Sequence, residues 1–339
     1  MGFQISSKDM NLFFNEIKND YDIYAPTIYE DGGRFSDTDC IRYGKINKFE
    51  EIEFEKKSEF SFKEVILPIV QTLFYFTEES VKEAEGRKKG AVIFLRSCDL
   101  NAVKRIDEIY LNNSCEDYYY KRLRDNVKFI LIGCSNSFEN CFCVDMNTNR
   151  ATDYSLAINW SKDRLFIDCK DENWKLFFEK NSISQLEVTP NYVTENKIKV
   201  NIPEDLTTEV AKSSIWNQYD SRCIACGRCN FVCPTCTCFT MQDIFYRDNG
   251  RVGERKRVWA SCMVNGYTDV AGGGSYRKQN GQRMRFKVLH KVLDFKQRFG
   301  YHMCVGCGRC DDICPEYISF SNAVNNLEKA MEEVTKKND

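Results

Sequence analysis

Two short apolar runs in the first half of the chain are separated by a segment with helical periodicity. The runs at residues 91–98 (AVIFLRSC) and 127–134 (VKFILIGC) predict buried β-strands, because each is continuous, short and rich in apolar side chains. The segment between them places four apolar residues on one helical face: Leu100, Val103, Ile106 and Tyr110. Asp99 is the predicted N-cap of that helix. A strand, a helix and a second strand at this spacing predict an α/β arrangement.

The pattern along the whole chain divides it into three parts. Residues 1–210 mix strand and helix patterns and are predicted to form an α/β or α+β domain. Residues 211–320 are rich in cysteine and basic side chains, and residues 321–339 are predicted to form a C-terminal helix with a charged tail. Within the second part, the segment 284–299 is amphipathic and shows four apolar residues on one face: Val288, Val292, Phe295 and Phe299.

Composition and charge exclude several classes of protein. The 339 residues are 42% apolar and 29% charged, as in ordinary globular proteins, and the net charge of −2 gives no reason to expect nucleic-acid binding. The longest apolar stretch, residues 65–76, is too short to span a membrane. Residues 251–301 hold twelve Lys and Arg against three Asp and Glu. This local excess indicates either a helix packed on a metal site with a solvated basic side, or a docking surface for an acidic partner.

Cysteine is the unusual component, with 18 residues in the chain. The first residues (MGFQISSKDMNLFF) contain no basic segment followed by an apolar one, so we expect no secretory signal and a cytoplasmic location. Disulfide scaffolds are small, loop-rich secreted domains, whereas this chain is long and charged. Metal binding is therefore the favoured role of the cysteines. The chain has two histidines, His290 and His302, so chemistry that needs several imidazoles is excluded.

Two cysteine runs repeat one spacing, in which gaps of two, two and three residues are followed by proline. The first run consists of Cys223, Cys226, Cys229 and Cys233 before Pro234, and the second of Cys304, Cys307, Cys310 and Cys314 before Pro315. This spacing is typical of bacterial ferredoxins that bind two 4Fe–4S clusters, since gaps of two residues let one tight loop supply three thiolates to a cubane. Gly227, Gly306 and Gly308 are predicted to allow the close backbone approach of these loops. Zinc is the alternative metal for CxxC pairs.

In two-cluster ferredoxins the fourth cysteine of each run binds the other cluster. Applied here, cluster I has the ligands Cys223, Cys226, Cys229 and Cys314. Cluster II has the ligands Cys233, Cys304, Cys307 and Cys310. The two runs lie 70 residues apart, and the helical pattern between them favours an α-helical ferredoxin-like domain.

Ten cysteines lie outside the two runs. Four of them follow or adjoin predicted strands and are candidates for a third cluster at one sheet edge, where α/β proteins place ligands: Cys98, Cys134, Cys141 and Cys143. The alternative is that these are buried free thiols. Cys40, Cys115 and Cys169 are isolated and predicted to be inert. The sequence assigns no role to Cys236 and Cys238, in CPTCTC, or to Cys262, in WASC.

Motifs for other cofactors are absent from the sequence. It contains neither GxGxxG after a strand nor GxxxxGK[ST], and no separate C-x5-C and C-x3-C pair of the kind that binds a sirohaem-coupled cluster. A chain with cluster motifs and no recognisable substrate or flavin site is most simply a non-catalytic electron-transfer subunit of a larger oxidoreductase complex.

Five segments of the chain resemble one family. The series RSCDLNAVKRID, GCSNSFENCFC, CIACGRCNFVCPTCTCF, WASC and CVGCGRCDDICP resembles the iron–sulfur subunit of anaerobic sulfite reductases. It is also similar to the iron–sulfur beta subunits of cytoplasmic sulfhydrogenases. The first resemblance implies a relay between a flavin subunit that oxidises NAD(P)H and a sirohaem subunit that reduces sulfite to sulfide. The alternatives are the equivalent sulfhydrogenase subunit and a redox-sensing cluster protein.

Overall fold

The computed structural model describes residues 2–35, 37–161, 164–248 and 250–338. Their strands are β1 (Gly2–Ile5), β2 (Tyr21–Tyr29), β3 (Cys40–Ile46), β4 (Val70–Phe76), β5 (Val81–Glu83), β6 (Gly90–Leu95), β7 (Val127–Ile132), β8 (Leu156–Ser161), β9 (Arg164–Cys169), β10 (Ser184–Leu186), β11 (Phe239–Phe245), β12 (Gly253–Trp259), β13 (Asp269–Val270) and β14 (Gly274–Ser275). Their α-helices are α1 (Ser7–Ile17), α2 (Lys63–Ile66), α3 (Ser97–Tyr110), α4 (Tyr118–Arg124), α5 (Glu172–Asn181), α6 (Gln218–Arg222), α7 (Arg228–Phe231), α8 (Asn280–Leu289), α9 (Phe295–Phe299), α10 (Arg309–Asp312), α11 (Phe320–Asn325) and α12 (Leu327–Asn338). Three short 3-10 helices cover Phe49–Glu51, Thr208–Lys212 and Ser214–Asn217.

The chain divides into two compact units that are not consecutive in sequence. Unit 1 contains Met1–Leu67, Glu85–Phe138 and Asn147–Asn196. Unit 2 contains Pro68–Ala84, Glu139–Met146 and Lys197–Asp339. The segment Pro68–Ala84 carries β4 and β5, and both cysteine runs lie in unit 2.

Unit 1 is built on an eight-stranded sheet with the order β10-β1-β9-β8-β7-β6-β2-β3. The four strands β2, β6, β7 and β8 pair in parallel, and the outer strands pair antiparallel. Strand β6 is buried from Ala91 to Leu95, as its uninterrupted apolar sequence predicts. The α/β prediction for this part of the chain is confirmed.

The core of unit 1 is rich in aromatic side chains from α1 and α5. Ser6 begins α1 with a capping box, in which the Asp9 amide donates to Ser6 Oγ and the Asp9 carboxylate accepts from the Ser6 amide. Phe13 of α1 packs edge-on to Trp174 of α5, with ring centroids 5.1 Å apart. These contacts hold the two helices in one apolar cluster with the sheet.

Helix α3 begins earlier than its sequence pattern predicts. Strand β6 ends at Leu95 and the N-cap of α3 is Arg96, whose side chain makes no capping bond. The prediction of Asp99 as N-cap is wrong, because Asp99 lies inside the first turn, where it is fully buried and accepts a hydrogen bond from Tyr43 at 3.4 Å. Cys98 accordingly lies in the helix and not at the end of a strand. The predicted apolar face of α3 is confirmed as buried.

Unit 2 combines a small antiparallel sheet with helices. Its sheet has the order β11-β12-β4-β5, so part of the insert between the two cysteine runs is β-structure. The predicted amphipathic helix is present as α8, a π-helical turn (His290–Asp294) and α9 in direct succession. Within residues 2–35, 37–161, 164–248 and 250–338, no helix is both long enough and apolar enough to cross a membrane.

Candidate cluster-binding site

The two cysteine runs of unit 2 fold into loops with the same backbone geometry. Gly227 has φ +75° and Gly308 has φ +70°, and at the position two residues earlier Ala225 has φ +56° and Gly306 has φ +63°. In each loop the amide two residues after the first cysteine donates to that cysteine's sulfur, at 3.4 Å in the first and 3.5 Å in the second. Helices α7 and α10 begin directly after the second left-handed residue. All three glycines that were predicted to allow close backbone approach have left-handed backbone conformations, and Ala225 takes the same conformation at a cost of roughly 1–2 kcal/mol.

A small cavity of about 30 Å³ lies against the first loop and the end of the second run. Its wall includes the four cysteines predicted for cluster I, Cys223, Cys226, Cys229 and Cys314, and also Cys310, which is predicted for cluster II. Apolar side chains line the rest of one side, among them Met263, Met284 and Ile318. The structure therefore brings the fourth cysteine of the second run to the three cysteines of the first loop.

The four cysteines predicted for cluster II also influence one another. Burial raises the pKa of the Cys304 thiol to about 12 against the opposing charge of Lys291, and the neighbouring Cys233 and Cys307 contribute to the increase. Burial likewise raises the pKa of Cys310, with further increases from the same two thiols. A thiol with a raised pKa holds its proton at neutral pH, so metal binding at this group must release protons.

Two lysines are buried in the middle of the cysteine-rich region. Lys287 of α8 and Lys291 of the π-helical turn each have 4% of their surface exposed. Burial alone lowers the pKa of an ammonium group, but negative charge on the cysteines outweighs this for both and raises it. Lys291 also donates to Thr235 Oγ1 at 2.9 Å.

The partners of the two lysines differ. Lys287 interacts first with Cys229 and then with Cys310, which are predicted for different clusters. Lys291 interacts with Cys233, then with Cys236, which is outside the two runs, and then with Cys304. Cys233 and Cys304 are both predicted for cluster II. A buried ammonium group needs a negative partner, and four thiolates around an iron–sulfide core leave a net negative charge. The donor set and the buried positive charge thus fit 4Fe–4S clusters at this place.

The burial of Lys287 and Lys291 was not predicted from the sequence, although their spacing relative to the apolar residues of the helix indicates it. They lie three and four residues from the buried apolar positions Met284, Val288 and Phe295, so they occupy the inward face of the helix. Two of the basic residues in the segment 251–301 are therefore buried. This favours a helix packed on the metal site over a docking surface that is entirely exposed.

The cysteines considered for a third cluster fall into two pairs. Cys98 and Cys134 belong to unit 1, where Arg96 donates to Cys134 Sγ at 3.3 Å. Cys141 and Cys143 belong to unit 2 and are buried, with Cys141 Sγ 3.5 Å from the carbonyl oxygen of Cys307. Among the residues that the structure describes, no three His, Cys, Asp or Glu side chains are close enough together to hold a single metal ion. The third cluster stays a prediction.

The isolated cysteines have different environments. Burial raises the pKa of Cys40 to about 11 and that of Cys169 to about 12, which makes both thiols poor nucleophiles. Cys115 is exposed. No contact of these three residues in the described structure suggests a metal ligand.

The segment Glu139–Met146 packs tightly on the second cysteine loop. The Phe142 amide donates to the Gly306 carbonyl at 2.8 Å, and Asn140 Nδ2 donates to Asp312 Oδ1 at 2.7 Å. A Cβ atom added to Gly308 would lie 2.2 Å from the Asn140 carbonyl oxygen. The backbone of this segment therefore leaves no room for a side chain at the second loop.

We expect Gly308→Ala to destabilise the protein by about 3 kcal/mol or more, since it combines a left-handed backbone with a clash against main-chain atoms. Gly300→Ala is the matched control, because Gly300 has φ +84° and no atom within 4 Å of the added Cβ, so it should lose only about 1–2 kcal/mol. Unfolding curves of the anaerobically prepared variants measure both changes. Equal losses would show that the segment Glu139–Met146 yields to the added methyl group.

Comparison with known proteins gives two findings. No solved structure matches the chain. The chain is 26% identical over 349 aligned positions to the protein named sulfhydrogenase 2 subunit beta of Pyrococcus furiosus, and the alignment covers 94% of this chain and 96% of that protein. Residues 222–318, which include both cysteine runs, match the family model described as a 4Fe-4S dicluster domain, and this match confirms a C-terminal 4Fe–4S dicluster domain.

Proposed function

We propose that this chain is the iron–sulfur electron-transfer subunit of a sulfhydrogenase-type complex. The observation that carries the proposal is the cavity in which Cys314 of the second run joins three cysteines of the first. The similarity to a sulfhydrogenase beta subunit over 94% of the chain supports the type of complex. When bound, 4Fe–4S clusters supply one-electron carriers. Because the thiols must stay reduced to bind clusters, we expect the chain to work in the cytoplasm.

The chain's own residues then have three tasks in this function. The eight cysteines of the two runs bind the clusters, with the ligand sets given above for clusters I and II. Lys287 and Lys291 compensate negative charge in a buried environment. Apolar residues such as Met263 and Met284 keep water away from the first loop. None of these tasks needs a catalytic residue on this chain.

A sulfite reductase component is the second candidate, because the segments RSCDLNAVKRID and CPTCTC resemble the iron–sulfur subunit of that family. The two candidates share the relay and differ in the partner. Mass spectrometry of the complex purified under anaerobic conditions separates them: a nickel–iron subunit supports the first candidate, and a sirohaem subunit supports the second. A flavin subunit that oxidises NAD(P)H is expected in both cases. A chain that purifies alone and changes its redox state only slowly would favour a redox sensor.

Replacing Cys226 with alanine should stop electron flow through the chain while the flavin of the partner subunit is still reduced by NAD(P)H. The reason is that Cys226 lies in the cavity wall with the other predicted ligands of cluster I. Stopped-flow absorbance distinguishes flavin reduction from turnover of the complex. The matched control is Cys115→Ala, which removes an exposed thiol in unit 1 and should leave turnover unchanged. Normal turnover in Cys226→Ala would refute the relay.

Iron analysis tests how many clusters are bound. Two 4Fe–4S clusters require about eight irons and eight acid-labile sulfides per chain, and a third raises each number to about twelve. Zinc without iron in anaerobic protein would contradict the cluster assignment altogether.

A further inference from the structure

Two thiols outside the cysteine runs form a hydrogen-bonded pair in unit 2. Cys238 directly precedes β11 and Cys262 follows β12 by three residues, so they lie at the same end of one antiparallel hairpin. The Ala260 amide donates to the Cys238 carbonyl at 2.9 Å and extends the ladder to this end. The two thiols hydrogen-bond to each other. Backbone pairing therefore brings the two residues close together at this end of the hairpin.

The surroundings of the pair make the two sulfurs unequal. Asn230 Nδ2 donates to Cys262 Sγ at 3.1 Å, and the Tyr267 hydroxyl, which donates to the Phe239 carbonyl at 3.4 Å, lies beside Cys238. The hydrogen bond from Cys262, opposed by burial, lowers the pKa of Cys238 to about 6, and the same bond raises the pKa of Cys262. At neutral pH the pair is one thiolate and one thiol, which is the form that reacts in thiol–disulfide chemistry.

The pair adjoins the predicted cluster ligands through a single side chain. Asn230 follows Cys229 in sequence, and Cys229 Sγ lies 3.9 Å from Asn230 Oδ1. Because Asn230 also donates to Cys262, one buried amide contacts both a predicted ligand of cluster I and the thiol pair. A two-electron group is therefore placed directly beside the proposed one-electron carriers.

We propose that Cys238 and Cys262 form a redox-active dithiol–disulfide couple that stores two electrons beside the clusters. In the reductive direction the S–S bond breaks, two electrons and one proton are taken up, Cys238 keeps the negative charge and Cys262 holds the proton. The electrons come one at a time from the one-electron carriers bound by the cysteine runs, so this inference rests on the proposed function. The reverse step forms the S–S bond and returns two electrons and one proton.

Disulfide mapping tests the pair itself. The anaerobic protein is incubated with oxidised glutathione, blocked with N-ethylmaleimide and cleaved with trypsin, which separates Cys238 (residues 229–247) from Cys262 (residues 258–277). We expect a disulfide that joins these two peptides and disappears in Cys238→Ser and in Cys262→Ser. It should persist in Cys236→Ser, which removes a neighbouring thiol of the same peptide. Absence of the joined peptides from the wild-type protein overturns the proposal.

Electron counting tests the exchange with the clusters. After oxidation, wild-type protein should take up about two more reducing equivalents per chain than Cys262→Ser in a dithionite titration. Iron and acid-labile sulfide should be equal in the two proteins. Equal uptake of electrons, or loss of iron in Cys262→Ser, overturns the couple, the latter because it makes Cys262 a metal ligand. Failure of the proposed function looks different, since Cys226→Ala would then keep normal turnover whatever the state of the pair.

Discussion

Replacing Lys291 with methionine is expected to lower the reduction potential of the cluster bound by the second cysteine loop by about 100 mV. The ammonium group is buried and interacts with Cys233 and Cys304, so it stabilises the more negative, reduced state of that cluster. A unit charge at contact distance is worth up to about 4 kcal/mol at an effective dielectric constant near 20. A tenfold change in equilibrium constant corresponds to about 59 mV for one electron, which gives a shift of this order.

Lys287→Met should shift both clusters, since Lys287 interacts with Cys229 and Cys310, one predicted ligand of each. Methionine retains the length of the side chain, so packing on the helix changes little. Lys296→Met is the matched control, because Lys296 is exposed on α9 and its charge is screened by water. Redox titration followed by electron paramagnetic resonance measures each cluster separately.

Two outcomes of this titration would contradict the assignment. If Lys291→Met and Lys296→Met shift the potentials equally, the buried ammonium groups do not act on the clusters. If the reduction potential rises in Lys291→Met, the ammonium group of the wild-type protein compensates a negative group other than the cluster. Iron content must be measured alongside, because a variant that loses a cluster gives no potential to compare.

The sequence predicted those features that depend on residues close together in the chain. The short gaps between the cysteines require glycines with unusual backbone conformations in the two loops, and three such glycines are present. The buried face of α3 follows from the spacing of its apolar residues. The boundary of α3 was predicted wrongly because a carboxylate favours both the N-cap and the first turn of a helix, and Asp99 occupies the second of these places.

Features that depend on distant segments could not be predicted in the same way. Lysines are usually exposed, and Lys287 and Lys291 are buried only because thiols from two remote loops surround them. Cys238 and Cys262 meet through pairing of β11 with β12, a register that local spacing does not specify. The packing of Asn140 against Gly308 joins segments that are remote in sequence. Long-range pairing therefore decides the chemistry around a motif that is itself local.

The predicted exchange of the fourth cysteines between the two loops leads to the second large expected effect. Cys314 lines the cavity of the first loop, whereas Cys233 contributes to the raised pKa of both Cys304 and Cys310. We therefore expect Cys314→Ala to resemble Cys226→Ala, with loss of up to about four of about eight irons from the cluster of the first loop.

A comparison of which alanine variants lose the same paramagnetic resonance signal distinguishes this arrangement from one in which each run binds its own cluster. With exchange, Cys314→Ala and Cys226→Ala lose the same paramagnetic resonance signal, and Cys233→Ala and Cys307→Ala lose the other. Without exchange, Cys314→Ala groups with Cys307→Ala. Alanine is preferred to serine here because a serine hydroxyl can replace a thiolate as ligand and hide the loss.

Exchange also ties folding to metal binding, since each cluster then joins segments about 80 residues apart in sequence and closes a long loop. Removal of iron by a chelator should therefore destabilise both loops together. The rate of hydrogen exchange at the amides of α7 and α10 should then rise in both helices. A rise confined to one of these helices would argue for independent clusters.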